Sequence, residues 1–257
     1  MKPEDIKIRC SSLGLIMTAP KEKAAKDAGL LSETAKGHLS DVMVSARYKR
    51  YPDIANRYTN KGLMVEEDSI TLYSRVTKKF YRKNEERIGN EFIIGTPDLY
   101  EGESINNAEI VHDVKSSWDI FTFFRQHESK LSTAYYWQLM GYMALTGAKK
   151  AYLAYCLIDT PLTLIEDEKR RLMYKMACLS TESPEYLEAC DELERNMIYT
   201  DISLSERNII IEIPRDEDAI QKIYEKVKKC REHAAEKYPS FFEKESACKI
   251  IVEGKEY

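Results

Sequence analysis

The sequence lacks the features that mark zinc proteins, disulfide-rich proteins and membrane proteins. Its six cysteines are scattered and none forms a CxxC pair, which argues against a zinc site and against an iron–sulfur cluster. The longest apolar runs, such as AYLAYCLI at residues 151–158, are far too short to cross a bilayer, and no apolar signal segment opens the sequence. We therefore expect a cytoplasmic, intracellular protein with reduced thiols and no membrane partner.

A net basic charge is also lacking. The chain carries 39 Lys and Arg against 43 Asp and Glu, for a formal charge of −4, which argues against a general basic coat for nucleic acid but allows local basic patches. With 257 residues, of which 43% are hydrophobic, the chain can build a substantial core. No repeat, low-complexity tract or linker divides it, so we expect one domain over residues 1–257.

The stretch at residues 94–117, IGTPDLYEGESINNAEIVHDVKSS, holds the most informative polar residues. Asp98 follows a proline, and Asp113 and Lys115 stand one residue apart in an apolar run. Alternate side chains of a strand share a face, so a carboxylate and an ammonium are expected to project together. Such charges need a partner, a metal or water, and a second carboxylate from the neighbouring strand favours a site for a hard cation.

A β-hairpin is predicted to bring the two aspartates together. Residues 92–100 and 109–115 read as strands joined by the polar turn EGESINNA, an arrangement that sets side chains opposite one another. Asp98 and Asp113 then converge on one face. Because Pro97 cannot donate a ladder hydrogen bond, the first strand is expected to be distorted or at a sheet edge near Asp98.

A helix predicted over residues 61–77 places an acid on its apolar side. The apolar arc consists of Leu63, Ile70, Tyr73 and Val76. Glu66 falls near the centre of this arc. A core-facing carboxylate without a partner is costly, so Glu66 is expected to meet either a basic side chain or the same metal centre.

The helix predicted over residues 132–145 carries Gln138 and Tyr142 four positions apart on one face. Gly147 is its expected C-cap, and Gly141 is expected to allow close approach to the sheet. A glutamine among bulky apolar residues indicates either an ordinary amphipathic helix or a side chain with a polar target.

Other segments complete the expected domain. Residues 151–158 are apolar on both faces, which is typical of a central strand covered by helices. The charged residues 161–206 are expected to form a helical insertion or lid. A strand at 208–213 and a helix at 217–238 close the domain, and an earlier helix is predicted at 32–50. The expected buried stripe of the closing helix is Ile220, Ile223, Val227 and Cys230.

Two segments have both a structural and a binding interpretation. Ser11 or Ser12 is suited to cap the helix that follows residues 6–10, but serines beside Arg9 also suit a phosphate site. Basic residues mixed with tyrosines suit either nucleic-acid contacts or a solvated connection. The basic residues are Arg47, Lys49, Arg50, Arg57 and Lys61.

Taken together, these residues resemble the PD-(D/E)XK nuclease superfamily. The ordered positions are Glu66, Asp98 in GTPDLY, Asp113 and Lys115 in HDVKSS, and Gln138. The phrases KGLMVEE and WQLMGYMALTG resemble the viral recombination exonuclease branch, which includes phage lambda exonuclease. The likeness covers roughly residues 6–158 and the closing strand and helix. Two departures are Asp113, where many members have glutamate, and a longer connection between the two aspartates.

The resemblance implies a fold and a function. The fold is α/β, with a restriction-endonuclease-like core in which a mixed central β-sheet is flanked by α-helices, and with a helical insertion at about residues 161–206. The implied function is metal-dependent DNA exonuclease in phage or mobile-element recombination or replication. Three alternatives stay open: an endonuclease of repair or restriction type on the same fold, a nucleic-acid-binding domain without turnover, and an α/β protein whose DxK is a surface ion pair.

The resemblance also implies a Mg²⁺ site in which Mn²⁺ can substitute. Asp98, Asp113 and the Val114 carbonyl would hold the cation, and Glu66 would complete a second or water-mediated position. Lys115 would orient the attacking water and stabilise the growing negative charge.

The remaining implied residues contact the substrate or position the catalytic groups. Gln138 would hydrogen-bond the water, Lys115 or a phosphate oxygen, and Tyr142 would pack beside it. Arg9 and Ser12 would hold a 5′-terminal phosphate. The implied partners are the ends of linear duplex DNA, a single-strand annealing recombinase and further copies of the chain.

Overall fold

The computed structural model describes residues 2–52 and 56–242, together with two short strands near the C-terminus. The helices of the described chain are α1 Leu13–Ile16, α2 Lys23–Asp27, α3 Glu33–Tyr48, α4 Arg57–Met64, α5 Glu66–Thr77, α6 Ile120–Glu128, α7 Thr133–Thr146, α8 Leu162–Met176, α9 Pro184–Arg195 and α10 Glu217–Lys237. The strands are β1 Ile8–Arg9, β2 Ile88–Gly89, β3 Ile93–Gly95, β4 Leu99–Gly102, β5 Ala108–Ser116, β6 Lys150–Cys156, β7 Asn208–Pro214, β8 Ile251–Val252 and β9 Lys255–Glu256.

Two mixed sheets form the β-structure of the main body. The larger has the strand order β4-β5-β6-β7, in which β5 and β6 are parallel and both outer pairs are antiparallel. The smaller has the order β1-β3-β2. Strand β6 is internal, and Ala151, Leu153, Ala154 and Cys156 are fully buried in it. The predicted α/β class and the predicted central position of this strand are confirmed.

The chain changes sheet at Pro97 and Asp98. A single strand over residues 92–100 was expected, but β3 ends at Gly95 in the smaller sheet and β4 begins at Leu99 in the larger one. The expected distortion beside Asp98 is therefore confirmed, because Pro97 cannot continue a hydrogen-bonded ladder. Asp98 consequently lies at the junction of the two sheets.

Helices cover the two faces of β5. On one face, the Tyr73 hydroxyl of α5 is hydrogen-bonded to His112 Nδ1 at 2.9 Å. On the other, Gln138 Nε2 of α7 donates to Asp113 Oδ1 at 2.9 Å. Successive residues of β5 thus face different helices, as the period of a strand requires.

Small residues let α7 lie directly against the N-terminal segment. A methyl group added at Gly141 would come within 2.5 Å of Leu13 Cδ1 and 2.9 Å of Cys10 Sγ. The close approach expected of Gly141 is therefore present, and the nearest neighbours of an added methyl are Leu13 and Cys10. The predicted C-cap of α7 is confirmed, since Gly147 adopts a left-handed conformation with φ of 81°.

The helix expected over residues 61–77 is two helices, α4 and α5, separated at Val65. A break changes the direction in which the following side chains point. An apolar arc predicted for one continuous helix therefore cannot hold for both α4 and α5. Leu63 is 74% exposed, and its assignment to the apolar arc was wrong. Ile70 and Tyr73, on the far side of the break, are buried as expected.

Helix α6 was not predicted from the sequence. Asp119 caps it by accepting a hydrogen bond from the Thr122 amide at 2.6 Å. The signal was the aspartate in SSWDIFTFF, three residues before Thr122.

The remaining predicted elements can be located directly. Helix α10 has the expected buried stripe, and residues 161–206 contain α8 and α9. The reading of that segment as an insertion or lid stays a prediction.

Within the described chain, no helix has the length and apolar character needed to span a bilayer. Cys10, Cys156, Cys190 and Cys230 are buried free thiols, and Cys248 lies outside the described residues.

Candidate active site

Strand β5 presents an acid and an amine side by side. Asp113 is fully buried, and the Nζ atom of Lys115 lies 2.7 Å from Asp113 Oδ2. The Lys115 side chain is 25% exposed, so the pair opens to solvent at the amine. The shared face expected from their spacing is therefore present.

A backbone contact fixes Asp98 against the same strand. The Val114 amide donates to Asp98 Oδ2 at 2.7 Å. Burial of the carboxyl group and the nearby Asp113 carboxylate together raise the pKa of Asp98 to about 7, and they outweigh the opposing influence of Lys115. Two acids that disfavour each other's ionisation are thus held together at the end of the proline-broken strand.

The charge on Lys115 is firmly held. Burial alone would lower its pKa, but the Asp113 and Asp98 carboxylates outweigh this effect and raise the pKa above the usual value for lysine. Lys115 is therefore an ammonium at neutral pH. It can stabilise negative charge and donate hydrogen bonds, but it has no lone pair with which to accept a proton.

Gln138 and Tyr142 support Asp113 from α7. The Gln138 amide nitrogen donates both to Asp113 Oδ1 at 2.9 Å and to the Tyr142 hydroxyl at 3.0 Å. Both side chains are buried. Burial, and to a smaller extent the charges of Asp113 and Asp98, raise the pKa of Tyr142. The polar target expected for Gln138 is therefore Asp113.

Glu66 stands apart from this group. It begins α5, which covers the opposite face of β5, and its carboxylate lies 2.7 Å from the Nζ atom of Lys83. The sequence left two partners open for Glu66, a basic side chain or the metal centre, and in the structure Glu66 pairs with a basic side chain. Glu66 is still near enough for its charge to add a small upward effect on the pKa of Asp98.

The donor set fits a hard divalent cation, although the ligands are not already gathered as a group. Within residues 2–52 and 56–242, no three His, Cys, Asp or Glu side chains form a metal-binding cluster. Asp113 Oδ2 is buried and receives no hydrogen bond of acceptable geometry, despite its short contact with Lys115. Carboxylate oxygens such as this one and those of the repelled Asp98 are the donors that Mg²⁺ and Mn²⁺ prefer.

A small basic cavity adjoins the group. Its volume is about 260 Å³, and two arginines and a threonine are among its lining residues. The lining residues are Arg9, Cys10, Ser11, Arg87, Ile94, Gly95, Thr96 and Tyr142. The sequence pointed to Arg9, to Tyr142 and to the serines beside Arg9, but it gave no signal for Arg87, which follows two glutamates in a charged run.

Ser12 lies on another side of the same arginine. It lines a separate cavity of about 380 Å³ together with Arg9 and His38. Ser12 occupies the N-cap position of α1, but its side chain makes no capping hydrogen bond, so the expected capping role was wrong for this serine. The structure therefore separates Ser12 from Tyr142, whereas it places Arg9 in the walls of both cavities.

Two members of the basic cluster are engaged within the protein. Arg57 pairs with Glu168 at 2.7 Å. Lys61 is only 1% exposed and donates to the Trp118 carbonyl at 2.7 Å; burial lowers its pKa to about 8. Arg57 thus makes a structural contact at the surface, whereas Lys61 is buried, so the expected solvated connection was wrong for Lys61.

Comparisons with known proteins find solved exonucleases to which this chain is similar. A phage-related exonuclease from Haemophilus somnus 129PT matches with a TM-score of 0.70 and 30% identity, over 91% of this chain and 96% of that one. The alkaline exonuclease LHK-Exo from Laribacter hongkongensis matches with a TM-score of 0.57 and 13% identity, over 91% and 94% of the two chains.

A structure of LHK-Exo in complex with dAMP matches with a TM-score of 0.55 and 14% identity, over 91% and 94%. At these identities the two LHK-Exo structures show a common fold. No family model and no curated protein matches the sequence.

Proposed function

The chain belongs to the viral recombination exonuclease branch of the PD-(D/E)XK nuclease superfamily, and on that premise we propose that it hydrolyses DNA from its ends with a divalent metal. The observation that supports a hydrolytic centre is the grouping of Asp98, Asp113 and Lys115. The carboxylates of Asp98 and Asp113 lie close to the Lys115 ammonium, and Gln138 of α7 holds Asp113 by a hydrogen bond. A surface ion pair would need neither the second acid nor the buried glutamine.

The two acids are proposed as the main metal ligands. Asp113 offers Oδ2, a buried oxygen in short contact with Lys115, and Asp98 offers a carboxylate whose ionised form is disfavoured by burial and by Asp113. We assign the Val114 carbonyl and Glu66 as further ligands, Glu66 directly or through water once it leaves Lys83. When bound, Mg²⁺ would make a water nucleophilic at neutral pH and neutralise charge on the phosphate; Mn²⁺ would serve similarly.

Lys115 and Gln138 act on either side of Asp113. The Lys115 ammonium orients the attacking water and stabilises the charge that develops on the phosphate oxygens. Gln138 positions the Asp113 carboxylate through its 2.9 Å hydrogen bond, and Tyr142 in turn holds Gln138. Because Lys115 stays protonated, the proton of the water must leave to another acceptor, such as an ionised carboxylate or solvent.

The basic cavity is proposed to hold a terminal phosphate. Arg9 and Arg87 supply two guanidinium groups, which bind phosphate oxygens in a planar, bidentate manner. Ser11 and Tyr142 add hydroxyl groups in the wall. We retain Ser12 as a contact for DNA beyond this cavity, through the second cavity that it shares with Arg9.

The biological setting and the assembly are proposals of the same kind. The family relationship supports a function in phage or mobile-element recombination or replication, linear duplex ends as substrate, a single-strand annealing recombinase as partner, and self-association.

The test is cleavage of duplexes labelled at either end, with and without a 5′-phosphate, in Mg²⁺, Mn²⁺ or EDTA. We expect release of labelled nucleotides in either metal and none in EDTA. Closed circular DNA should stay intact, because an exonuclease needs an end. Nicking of the circle would favour an endonuclease, and an absence of cleavage from every substrate would refute the proposal.

A further inference from the structure

A charged segment runs past the candidate site between α5 and β2. We call residues 78–87, with the sequence KKFYRKNEER, the strap; residues 79–87 are outside any helix or strand. It contains five basic and two acidic residues, in a chain whose net charge is −4. The strap's own residues therefore sum to a net positive charge, in a protein whose net charge is negative.

Alternate side chains of the strap turn toward the protein. Lys79 and the Tyr81 hydroxyl both contact the Glu101 carboxylate at 2.9 Å. Lys83 reaches Glu66 at 2.7 Å. These contacts fix one side of the strap along β4 and the start of α5.

The strap is also bound to the loop that carries Asp98. The Asn84 amide donates to the Asp98 carbonyl at 2.8 Å, and the Asn84 side chain donates to the Pro97 carbonyl at 2.9 Å. Three residues later, Arg87 enters the wall of the basic cavity. The strap thus leads directly to the acids and to the cavity proposed for the terminal phosphate.

The intervening side chains project into solvent. Phe80 is 94% exposed, and Arg82 is exposed and has no ion-pair or hydrogen-bond partner among the described residues. Burying a phenylalanine side chain stabilises a fold by about 2 kcal/mol. Because Phe80 is exposed, it contributes little of this stabilisation. Lone exposed aromatics are common. Here Phe80 and the unpaired Arg82 line one cavity on an anchored segment, together with Glu67, Glu85 and Glu86.

An exposed aromatic ring between basic residues suits single-stranded nucleic acid. Bases of any sequence stack on such a ring, while the adjacent cations contact phosphates. Inside a duplex each base is already stacked on both faces, and only the terminal pair has a free face. We propose that the strap binds an unpaired DNA strand next to the active site, with a base stacked on Phe80 and a phosphate at Arg82.

This inference rests on the proposed function for the identity of the polymer. It goes beyond that function because it assigns a contact for unpaired bases that hydrolysis itself does not need. It also predicts that Phe80 and Arg82 act on substrate binding and leave the chemical step nearly unchanged.

The test is binding of a fluorescein-labelled single strand with cleavage-resistant phosphorothioate linkages in Mg²⁺ buffer, measured by anisotropy. Phe80→Ala should weaken binding about 5- to 100-fold, and Phe80→Trp should restore it. The matched control is Tyr174→Ala, which removes another highly exposed aromatic ring, 84% exposed on α8, and should change nothing.

An oligonucleotide with abasic sites separates stacking from other effects. It keeps the phosphates but lacks bases, so Phe80→Ala should bind it as tightly as the unchanged protein does. Arg82→Ala should weaken binding of both oligonucleotides and reduce the slope of log affinity against log salt by about 0.7. An equal loss on abasic and ordinary DNA for Phe80→Ala would overturn the stacking contact.

Cleavage of ordinary DNA, measured in parallel, distinguishes the two hypotheses. For Phe80→Ala we expect a higher KM with kcat nearly unchanged. If the unchanged protein cuts DNA and Phe80→Ala binds single strands normally, the strap contact is wrong and the proposed function stands. If the unchanged protein neither cuts nor binds DNA, both fail. A change of oligomeric state on Phe80→Ala would instead identify a contact between copies and overturn the inference.

Discussion

Asp113 is held from two directions by side chains of opposite kinds. Gln138 donates a neutral hydrogen bond to one carboxylate oxygen, and the Lys115 ammonium lies beside the other. A fully buried carboxylate held in this way cannot turn to solvent, so its position does not depend on substrate. Lys115, by contrast, is partly exposed and can contact an incoming phosphate.

Replacement of Lys115 by alanine tests whether Lys115 acts on the phosphate while Asp113 keeps its position. Lys115→Ala should keep the fold and bind Mg²⁺, because both acids remain, yet it should lower kcat about 100- to 10,000-fold through loss of transition-state charge stabilisation. Single-turnover cleavage gives the rate, and calorimetric Mg²⁺ titration gives the binding. Unimpaired cleavage by this variant would refute the assignment of Lys115.

Lys61 gives a residue-scale prediction away from the site. Its pKa is lowered to about 8, mainly by burial, from the ordinary 10.5. Between these pH values the unfolded chain binds a proton that the folded protein does not, so the free energy of unfolding should rise with pH across this window, by about 3 kcal/mol in all.

The check is urea denaturation from pH 7.5 to 10.5, compared between variants. Lys61→Met should lose this rise, while Lys23→Met, at an exposed lysine, should keep it. Since tyrosines and cysteines also titrate here, the difference between the two variants is the informative quantity. Identical pH profiles for both would show that the amine of Lys61 is not desolvated.

At the scale of elements, prediction from the sequence succeeded where one periodic pattern decides the structure. Strand β6 and helix α10 follow from a run that is apolar on both faces and from a stripe at helical spacing. Lys115 and Asp113 were placed on one face because a strand has a period of two. Each of these depends only on local order along the chain.

The failures concern what meets an element in space. The break at Val65 has no Gly or Pro to signal it, and it invalidated the arc that placed Glu66 in the core. The partner of Glu66, Lys83, lies in a segment without periodicity. Gly141 signalled close packing correctly, but the sequence could not say that Leu13 would be the neighbour.

The packing of α7 on the N-terminal segment gives a prediction for three glycines. Gly14→Ala would place a methyl 2.6 Å from the Ala134 backbone Cα, which cannot move aside, and should cost about 1–3 kcal/mol or more. Gly141→Ala meets the end of the Leu13 side chain and the Cys10 thiol, so it should cost less.

The matched control is Gly37, in helix α3, where an added methyl has no neighbour within 4 Å. Gly37→Ala should stabilise the protein by about 0.5–1 kcal/mol through helix propensity. Guanidinium denaturation of the three variants measures the order. A stable Gly14→Ala variant would mean that α1 and α7 are not packed as described.

At the scale of the whole molecule, an acidic protein is proposed to act on a polyanion. The long-range field of a chain with charge −4 does not attract DNA, so binding must come from local groups. The Arg9 and Arg87 cavity and the strap at residues 78–87 provide them next to the acids. Affinity should therefore fall with added salt by the amount expected for a few phosphate contacts.

The central claim is that Asp98 and Asp113 form one hydrolytic centre with Lys115. The most direct measurement is the rate at which labelled nucleotides leave a linear duplex in Mg²⁺, for the unchanged protein and for Asp113→Asn, with thermal unfolding confirming that the variant is folded. Asparagine keeps the shape and removes the charge. We predict a loss of at least about 100-fold; a folded Asp113→Asn protein that cleaves at the unchanged rate would contradict the account.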